Sequence, residues 1–437
     1  MLDISWIDTF VKAIRPHVEV RREDSLLILI PNQAYKLNRT GLDILGRALD
    51  GEPIRDVLGP LAGEEGKREQ VHAFFCDVRA LLTGCLGEGR GRRAVEHVPY
   101  KPPFNTLPVL SEFAPTYRCN LACRFCYAGS PDGDLVDELD TAGAVKVIEV
   151  IRKQARVPGL SFTGGEPTLR KDLVELVAEA VKIDLRVNLI TNGTLLTQRL
   201  VDALARAGLR SAQVSLEGGT AGVHDALVGR PGAFEKTLQG VRRLEEAGIA
   251  VHTNTTINGG NLDSLEDIVD RVRDLGLDRL SMNMVIPCGT AISKGRDLWV
   301  RYTDIGPHVL RVRRKAREAG VRFLWYAPTP YCLFNPVAEG LGNKGCAACD
   351  GLLSVAPDGS VLPCSSLREP VGNLLERPFR EVWESAEAKA WRRKEAAPGA
   401  CHTCSMFEIC TGACPIYWEA MGDGELAGRG GQRGNVE

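Results

Sequence analysis

Cys119-Asn-Leu-Ala-Cys123-Arg-Phe-Cys126 is the stretch on which the reading of the whole chain turns. It sets three thiols within eight residues, separated by three residues and then by two. That is too tight for the disulfide framework of a secreted domain and one ligand short of a closed tetrahedral zinc site. A cubane iron–sulfur cluster takes a thiolate on each iron. Three cysteines would hold three irons and leave the fourth open to a ligand offering nitrogen and oxygen. Three unrelated thiols or a zinc knuckle are the competing readings, and the flanking sequence decides between them.

The chain is 437 residues long, enough for two or three domains. Its 44% hydrophobic and 25% charged residues are those of an ordinary soluble protein, and a net charge of −2 points to no polyanionic partner. No apolar run reaches 18 residues, so no membrane span is expected. Asp3, Asp8, Lys12 and Arg15 interrupt the apolar positions at the start, which is unlike a signal peptide; a cytoplasmic location is expected. Of the fourteen cysteines, seven crowd into the last hundred residues. Clustered cysteines without a secretory signal read as metal ligands.

From about residue 108 to 325, short apolar runs alternate with helical patterns. Strands are expected at 111–117, 159–163, 186–191, 211–216, 250–257 and 280–285, with helical spacing in between, as at Leu173/Leu176/Val177/Ala180 and Leu265/Ile268/Val269/Val272. Such alternation implies βα units and a parallel sheet, with chemistry at the C-terminal ends of the strands. The cysteine triad follows the first strand, Thr163-Gly-Gly-Glu-Pro167 the second, Ile190-Thr-Asn-Gly193 the third and Ser215-Leu-Glu-Gly-Gly219 the fourth. All four stretches fall on one mouth. The triad, with Phe125 before its last cysteine, and the Gly-Gly-Glu-Pro run about 40 residues later resemble the radical S-adenosylmethionine (SAM) superfamily. The resemblance implies a partial (β/α)6 TIM-like barrel within an α/β fold. It implies a [4Fe–4S] cluster on Cys119, Cys123 and Cys126, and SAM bound by Phe125, Gly164, Gly165, Glu166, Pro167, Asn192, Ser215 and Thr255. In that scheme Glu166 meets the methionine ammonium, Asn192 and Ser215 the ribose hydroxyls, and Thr255 with Ile257 the adenine. Pro287 to Gly289 matches a loop that often touches SAM, with Cys288 an inert thiol. Glu217 is a candidate general base.

Beyond residue 326, Cys349 is followed by Gly359 and Cys364, and later by Cys401-x2-Cys404-x5-Cys410-x3-Cys414. Val355 to Cys364 reads as a hairpin turning at Asp358-Gly359. The pattern resembles the SPASM extension, which carries auxiliary [4Fe–4S] clusters. The resemblance implies Cys346, Cys349, Cys364 and Cys414 on a first auxiliary cluster and Cys401, Cys404 and Cys410 on a second. No cysteine follows Cys414 in this sequence, so the second cluster lacks the family's fourth thiolate. An open iron, a carboxylate such as Glu419 or Asp423, Cys332, or absence of the cluster are the alternatives. Paired zinc sites are the competing reading. The glycine-rich stretch from 422 to 437 is expected to be disordered.

Residues 1–95 read as a small winged-helix-like α+β module. Val18–Arg22, Leu26–Ile30 and Ala34–Asn38 are strand candidates. Thr40 is the expected N-cap of a helix that ends at Gly51, and Val71, Phe74, Phe75, Val78, Leu81 and Leu82 mark another helix, with Cys76 a core thiol. Residues 1–90 hold 12 Lys+Arg against 14 Asp+Glu, without the basic footprint of a DNA binder. The pattern, with Asn32-Gln-Ala-Tyr35 ahead of the Thr40 helix, resembles the PqqD-like peptide-recognition element, in which a precursor's leader adds as a strand. The expected order is therefore 1–95 recognition module, 96–107 linker, 108–325 barrel, 326–421 cysteine-rich extension and 422–437 tail. The expected activity is reductive cleavage of SAM to a 5′-deoxyadenosyl radical and oxidative modification, such as crosslinking, of a ribosomally made precursor peptide. It would use one or two auxiliary clusters and a low-potential electron donor such as flavodoxin or ferredoxin, with no nucleic acid or membrane partner. The alternatives are a small substrate such as a tetrapyrrole, a maturase of a folded protein such as a sulfatase, and a non-catalytic iron–sulfur or zinc scaffold.

Overall fold

The computed structural model describes residues 3–30, 33–82, 104–129 and 137–427. The chain divides into two compact units, Met1–Val109 and Leu110–Glu437. In the first, β1 (Val18–Arg21), β2 (Leu26–Leu29) and β3 (Gln33–Lys36) form an antiparallel sheet in that order. Every residue of the central β2 is buried, whereas β3 is an edge strand with both ends exposed. Val20 faces Leu27, and Leu27 faces Tyr35. Leu27 and Leu29 pack with Leu45, Phe75 and Val78 into this unit's own core.

Fully buried Arg21 secures the β1–β2 turn. Its guanidinium meets both Asp24 oxygens, at 2.9 and 2.8 Å, and donates to the carbonyls of Leu107 and Pro108. Asp24 also accepts from the Thr106 amide. A buried ion pair with its remaining donors and acceptors satisfied is the tolerable kind, and it ties the end of the expected linker to the sheet. Residues 96–103 of that linker, and Cys85 in the module before it, lie outside the described residues.

Three features of this unit differ from expectation. An unexpected helix, Trp6–Ile14, buries Ile7, Val11 and Ile14 on one face. The next helix, Arg39–Leu49, is capped by Asn38, whose side chain accepts from the Gly41 amide at 2.7 Å; Thr40 is already inside it. The cap needs its side-chain oxygen within reach of the third following amide, and Asn caps at least as well as Thr. Cys76, on the helix Glu65–Leu82, is only partly buried, with its Sγ 3.6 Å from His72 Nδ1.

The second unit is built on a ten-stranded sheet. Seven parallel strands run in chain order: β4 (Leu110–Thr116), β5 (Gly159–Gly164), β6 (Arg186–Thr191), β7 (Ser211–Ser215), β8 (Ala250–Ile257), β9 (Arg279–Met284) and β10 (Arg322–Trp325). Six of these match expectation and β10 is additional. Alternating residues such as Val187, Leu189, Ala212 and Val214 are fully buried, and helices that include Thr141–Lys153, Leu173–Lys182 and Ala233–Glu246 connect the strands.

The C-terminal region continues this same sheet. β11 (Leu352–Val355) pairs parallel with β4, placing Val355 opposite Phe113. β12 (Ser360–Leu362) and β13 (Gly372–Asn373) follow antiparallel. The expected hairpin is present, with Gly359 at φ +86°, a value that favours glycine. Residues 422–427, expected as the start of a disordered tail, are held: Glu425 accepts from the Thr303 amide at 2.9 Å and from the Tyr417 hydroxyl. Residues 428–437 lie outside the described residues.

Candidate active site and cysteine centres

The triad loop leaves β4 just after a register shift between Phe113 and Thr116, a bulge of the kind that re-aims a strand end. Three other loops then grip its backbone. Gly165 N donates to Thr116 O at 2.9 Å and Glu166 N to Arg118 O at 2.8 Å. A Cβ on Gly164 would stand 2.3 Å from Thr116 O, and one on Gly165 would stand 2.2 Å from Arg118 O. Sequence reading assigns these glycines to close approach of a ligand; the structure uses them for close approach of the cysteine loop itself. On a second side, the Ala122 and Arg124 amides donate to Val228 O and Leu227 O, and Gly229 has room for no Cβ beside Ala122 O. On the third, the Thr290 hydroxyl accepts from Cys126 N and donates to Cys123 O, both at 2.8 Å. A Cβ on Gly289 would lie 2.2 Å from Cys126 O.

Glu166 is the hub of the mouth. It is fully buried. Its Oε1 accepts from the Thr168 amide and hydroxyl and from the Thr191 hydroxyl, and its Oε2 accepts from the Asn192 amide. Burial raises its pKa, and these hydrogen bonds oppose the rise. Glu166 also caps the short 3-10 turn that Pro167 opens. The run therefore works as a unit: glycines for contact with the β4 end, a carboxylate joining the β5 and β6 loops, and proline to set the turn. Asn192 donates to Asn120 Oδ1 at 2.9 Å and lies 3.9 Å from Cys119 Sγ, so it already addresses the triad. Ser215 ends β7, half-buried. The Thr255 hydroxyl is buried and donates to Leu216 O at 2.6 Å. Phe125 is half-buried within the loop.

Glu217 lies buried beside this group, with Oε2 accepting from Thr256 N at 2.9 Å, and burial pushes its pKa up to about 8. Its backbone amide donates to His224 Nδ1 at 3.1 Å. Burial pushes the Cys119 thiol up to about 11 and lifts Cys123 well above the ordinary thiol value. These thiols are protonated in the metal-free chain, and metal binding must release their protons.

The C-terminal cysteines form two further groups. Cys346, Cys349, Cys364 and Cys414 lie near enough to act on one another electrostatically, Cys364 on Cys414 and Cys346, and Cys349 on Cys346. The Cys346 amide donates to Thr411 Oγ1 at 2.8 Å, Cys349 N to Pro363 O at 3.2 Å and Cys414 N to Tyr302 Oη at 3.3 Å. Cys401, Cys404 and Cys410 sit on successive short turns, with Cys404 N donating to Cys401 O and Phe407 N to Cys404 O. Among the described residues, no three His, Cys, Asp or Glu side chains close around a single metal ion.

Two family models match the chain: the radical SAM superfamily over residues 113–275 and an iron–sulfur cluster-binding domain (SPASM) over 346–405. The AdoMet-dependent heme synthase of Methanosarcina barkeri is 31% identical over 337 residues, 72% of this chain and 94% of that protein. The chain belongs to the radical SAM superfamily. The PqqA peptide cyclase of Ruegeria pomeroyi is 32% identical, over 68% of this chain and 80% of its own length. In fold the chain is similar to Streptococcus suis SuiB bound to precursor peptide SuiA, with a TM-score of 0.69 at 16% identity, over 93% of this chain and 96% of SuiB. That coverage is more than the second unit alone contains. As a radical SAM enzyme of the SPASM type, it binds SAM and a [4Fe–4S] cluster, with auxiliary iron–sulfur clusters in its C-terminal region. The donor sets fit these groups: the triad could hold the first, and the two C-terminal sets could hold the others. Among the described residues no helix is long and apolar enough to cross a membrane.

Sequence reading missed Thr290, Gly229 and Thr168, and it marked Thr191 and Asn192 without linking them to Glu166. Thr290 left a signal, next to the Pro287–Gly289 loop already marked as close to the site. Gly229 acts through a backbone contact with a segment remote in sequence.

Proposed function

We propose that this radical SAM enzyme oxidatively modifies, by crosslinking, a ribosomally made precursor peptide, and that the first unit holds the peptide's leader. The observation that carries the reading is the first unit itself. It is a three-stranded sheet whose outer strand β3 offers main-chain donors and acceptors at a sheet edge, the geometry that strand addition needs. The heme synthase accounts for 94% of its own length with 72% of this chain, and the superfamily model begins only at residue 113. The first unit lies outside the superfamily match, and a small substrate has no use for a strand-pairing module.

Cys119, Cys123 and Cys126 would hold the [4Fe–4S] cluster, which with SAM and a low-potential donor such as flavodoxin or ferredoxin would supply the radical chemistry. Around it Gly164, Gly165, Glu166 and Pro167 fix the backbone that meets the methionine end. Asn192 and Ser215 would meet the ribose and Thr255 the adenine, with Phe125 a further contact to SAM. Glu217, buried and with its pKa pushed up to about 8, would be the group that exchanges a proton at the mouth. Cys346, Cys349, Cys364 and Cys414, with Cys401, Cys404 and Cys410, would hold centres able to take up the electron that closing a new bond releases.

The test pairs the full chain with the short peptide encoded beside its gene, under anaerobic reducing conditions with SAM. The expected product is lighter than the peptide by about two mass units per crosslink, the two hydrogens of a net oxidation. Removing residues 1–95 should weaken peptide binding at least tenfold while SAM cleavage persists. The heme synthase relatives support a second reading, a tetrapyrrole substrate. Turnover of an iron porphyrin with no change in the peptide would establish that reading and sink the first.

A further inference from the structure

We infer that Cys332 is the fourth thiolate of the second auxiliary cluster, completing a four-cysteine site with Cys401, Cys404 and Cys410. Cys332 lies some seventy residues before the others and outside the matched iron–sulfur domain, so spacing does not reveal it. The fold brings it there. The Tyr331 amide donates to Cys410 Sγ at 3.3 Å, which sets the backbone beside Cys332 directly against one member of the group. The turn that carries it is independently fixed. Pro330 O accepts from both the Leu333 and Phe334 amides, and the buried Thr329 hydroxyl donates to Phe334 O at 3.1 Å. Phe334 is itself buried against the helix Tyr302–Glu318, where a Cβ on Gly306 would lie 3.0 Å from its ring. Cys332 is thus presented at the crown of a braced turn and is in no disulfide.

The rival donors for this position are the carboxylates of Asp423 and Glu419. Asp423 and Glu419 line a cavity of about 440 Å³ with Trp391, Pro398 and Trp418, where they are exposed. Sulfur is also the donor these clusters take by preference.

A cluster with a thiolate on each of four irons has no position left for a substrate atom. The second auxiliary centre is therefore an electron-transfer site, and any auxiliary contact with substrate falls elsewhere. This holds whichever substrate the enzyme takes, so its failure is separate from failure of the peptide reading.

The test uses the full wild-type chain, loaded anaerobically with iron and sulfide, then treated with iodoacetamide and digested for mass spectrometry. Cys332 is exposed and would alkylate readily as a free thiol. Protection of Cys332 together with Cys401, Cys404 and Cys410 in the loaded chain, and labelling of all four after chelation of iron, is the expected result. Labelling of Cys332 in the loaded chain while the other three stay protected overturns the assignment, and labelling of all four in the loaded chain overturns the cluster itself. In parallel, Cys332→Ala should lower iron from about twelve to about eight per chain, or leave a three-iron signal, while the triad still cleaves SAM. Iron content and cluster spectrum unchanged in Cys332→Ala but altered in Asp423→Asn would hand the ligand role to the carboxylate.

Discussion

The triad at the barrel mouth and the last cysteine group carry the same kind of donors on differently made supports. The triad loop is gripped by backbone from three sides, and at Gly164, Gly165 and Gly289 a Cβ would lie 2.2–2.3 Å from a carbonyl oxygen. Around the last group the bonds are mostly local turns, and a Cβ on Gly399, two residues before Cys401, would meet nothing within 4 Å. The first site is shaped by the barrel before any iron arrives. On the ligand assignment proposed above, the second would also draw on the braced turn at 329–334. The difference would suit their duties: a site that must orient SAM needs fixed geometry, whereas an electron carrier needs mainly its ligands and its burial.

The largest contrast should come from the cysteines. Cys123→Ala is expected to abolish 5′-deoxyadenosine formation, and Cys404→Ala to preserve it while stopping product; chromatography of the SAM products reads both. Normal SAM cleavage in Cys123→Ala would remove the triad from the mechanism. The glycines test rigidity next. Gly165→Ala drives a methyl into the Arg118 carbonyl and should cost more than about 3 kcal/mol, seen in thermal unfolding and in loss of the triad cluster's iron. Gly399→Ala should stay within about 0.5 kcal/mol; equal losses in the two variants would erase the distinction between the sites.

A smaller effect is expected at Thr290. Thr290→Val removes the hydroxyl that joins Cys126 N to Cys123 O and leaves the part-buried Cys126 amide with its longer 3.3 Å bond to Cys123 O, at a cost of about 0.5–1.5 kcal/mol. Faster loss of triad iron to a chelator, with the auxiliary iron unaffected, is the signature; Thr290→Ser should restore retention. The smallest effect concerns acid. His224 is 1% exposed, and its Nδ1 accepts from the Glu217 amide, so the neutral ring carries its proton on Nε2, which finds no partner among the described residues. Burial pushes its pKa down to about 4. Below pH 6.5 the unfolded chain therefore binds a proton that the folded chain refuses, and stability falls as pH drops toward 4, by at most about 1.4 kcal/mol per pH unit. His224→Asn should flatten that part of the melting-temperature profile; an unchanged slope would show that other groups set it.

Much of the fold is legible locally. Strand periodicity places six of the barrel strands, the triad and Gly-Gly-Glu-Pro sit at strand ends, and Asp358-Gly359 turns the hairpin where expected. Short β10, Arg-Phe-Leu-Trp, carries no alternation to read, and the helix Trp6–Ile14 escapes the sequence reading although its buried residues keep helical spacing. Asn38 rather than Thr40 caps its helix because the cap is chosen by reach to an amide.

The sequence by itself determined which chemistry is present, because thiols, glycines and a carboxylate at fixed local intervals are properties of a chain. Tertiary structure alone decided what those residues touch. It set Glu166 on the β6 loop, Thr290 across the triad backbone, β11 beside a strand some 240 residues earlier, and Tyr331 against Cys410. Periodicity reports the face a residue presents. Only closure of the sheet and packing of distant turns fix which other residue that face meets.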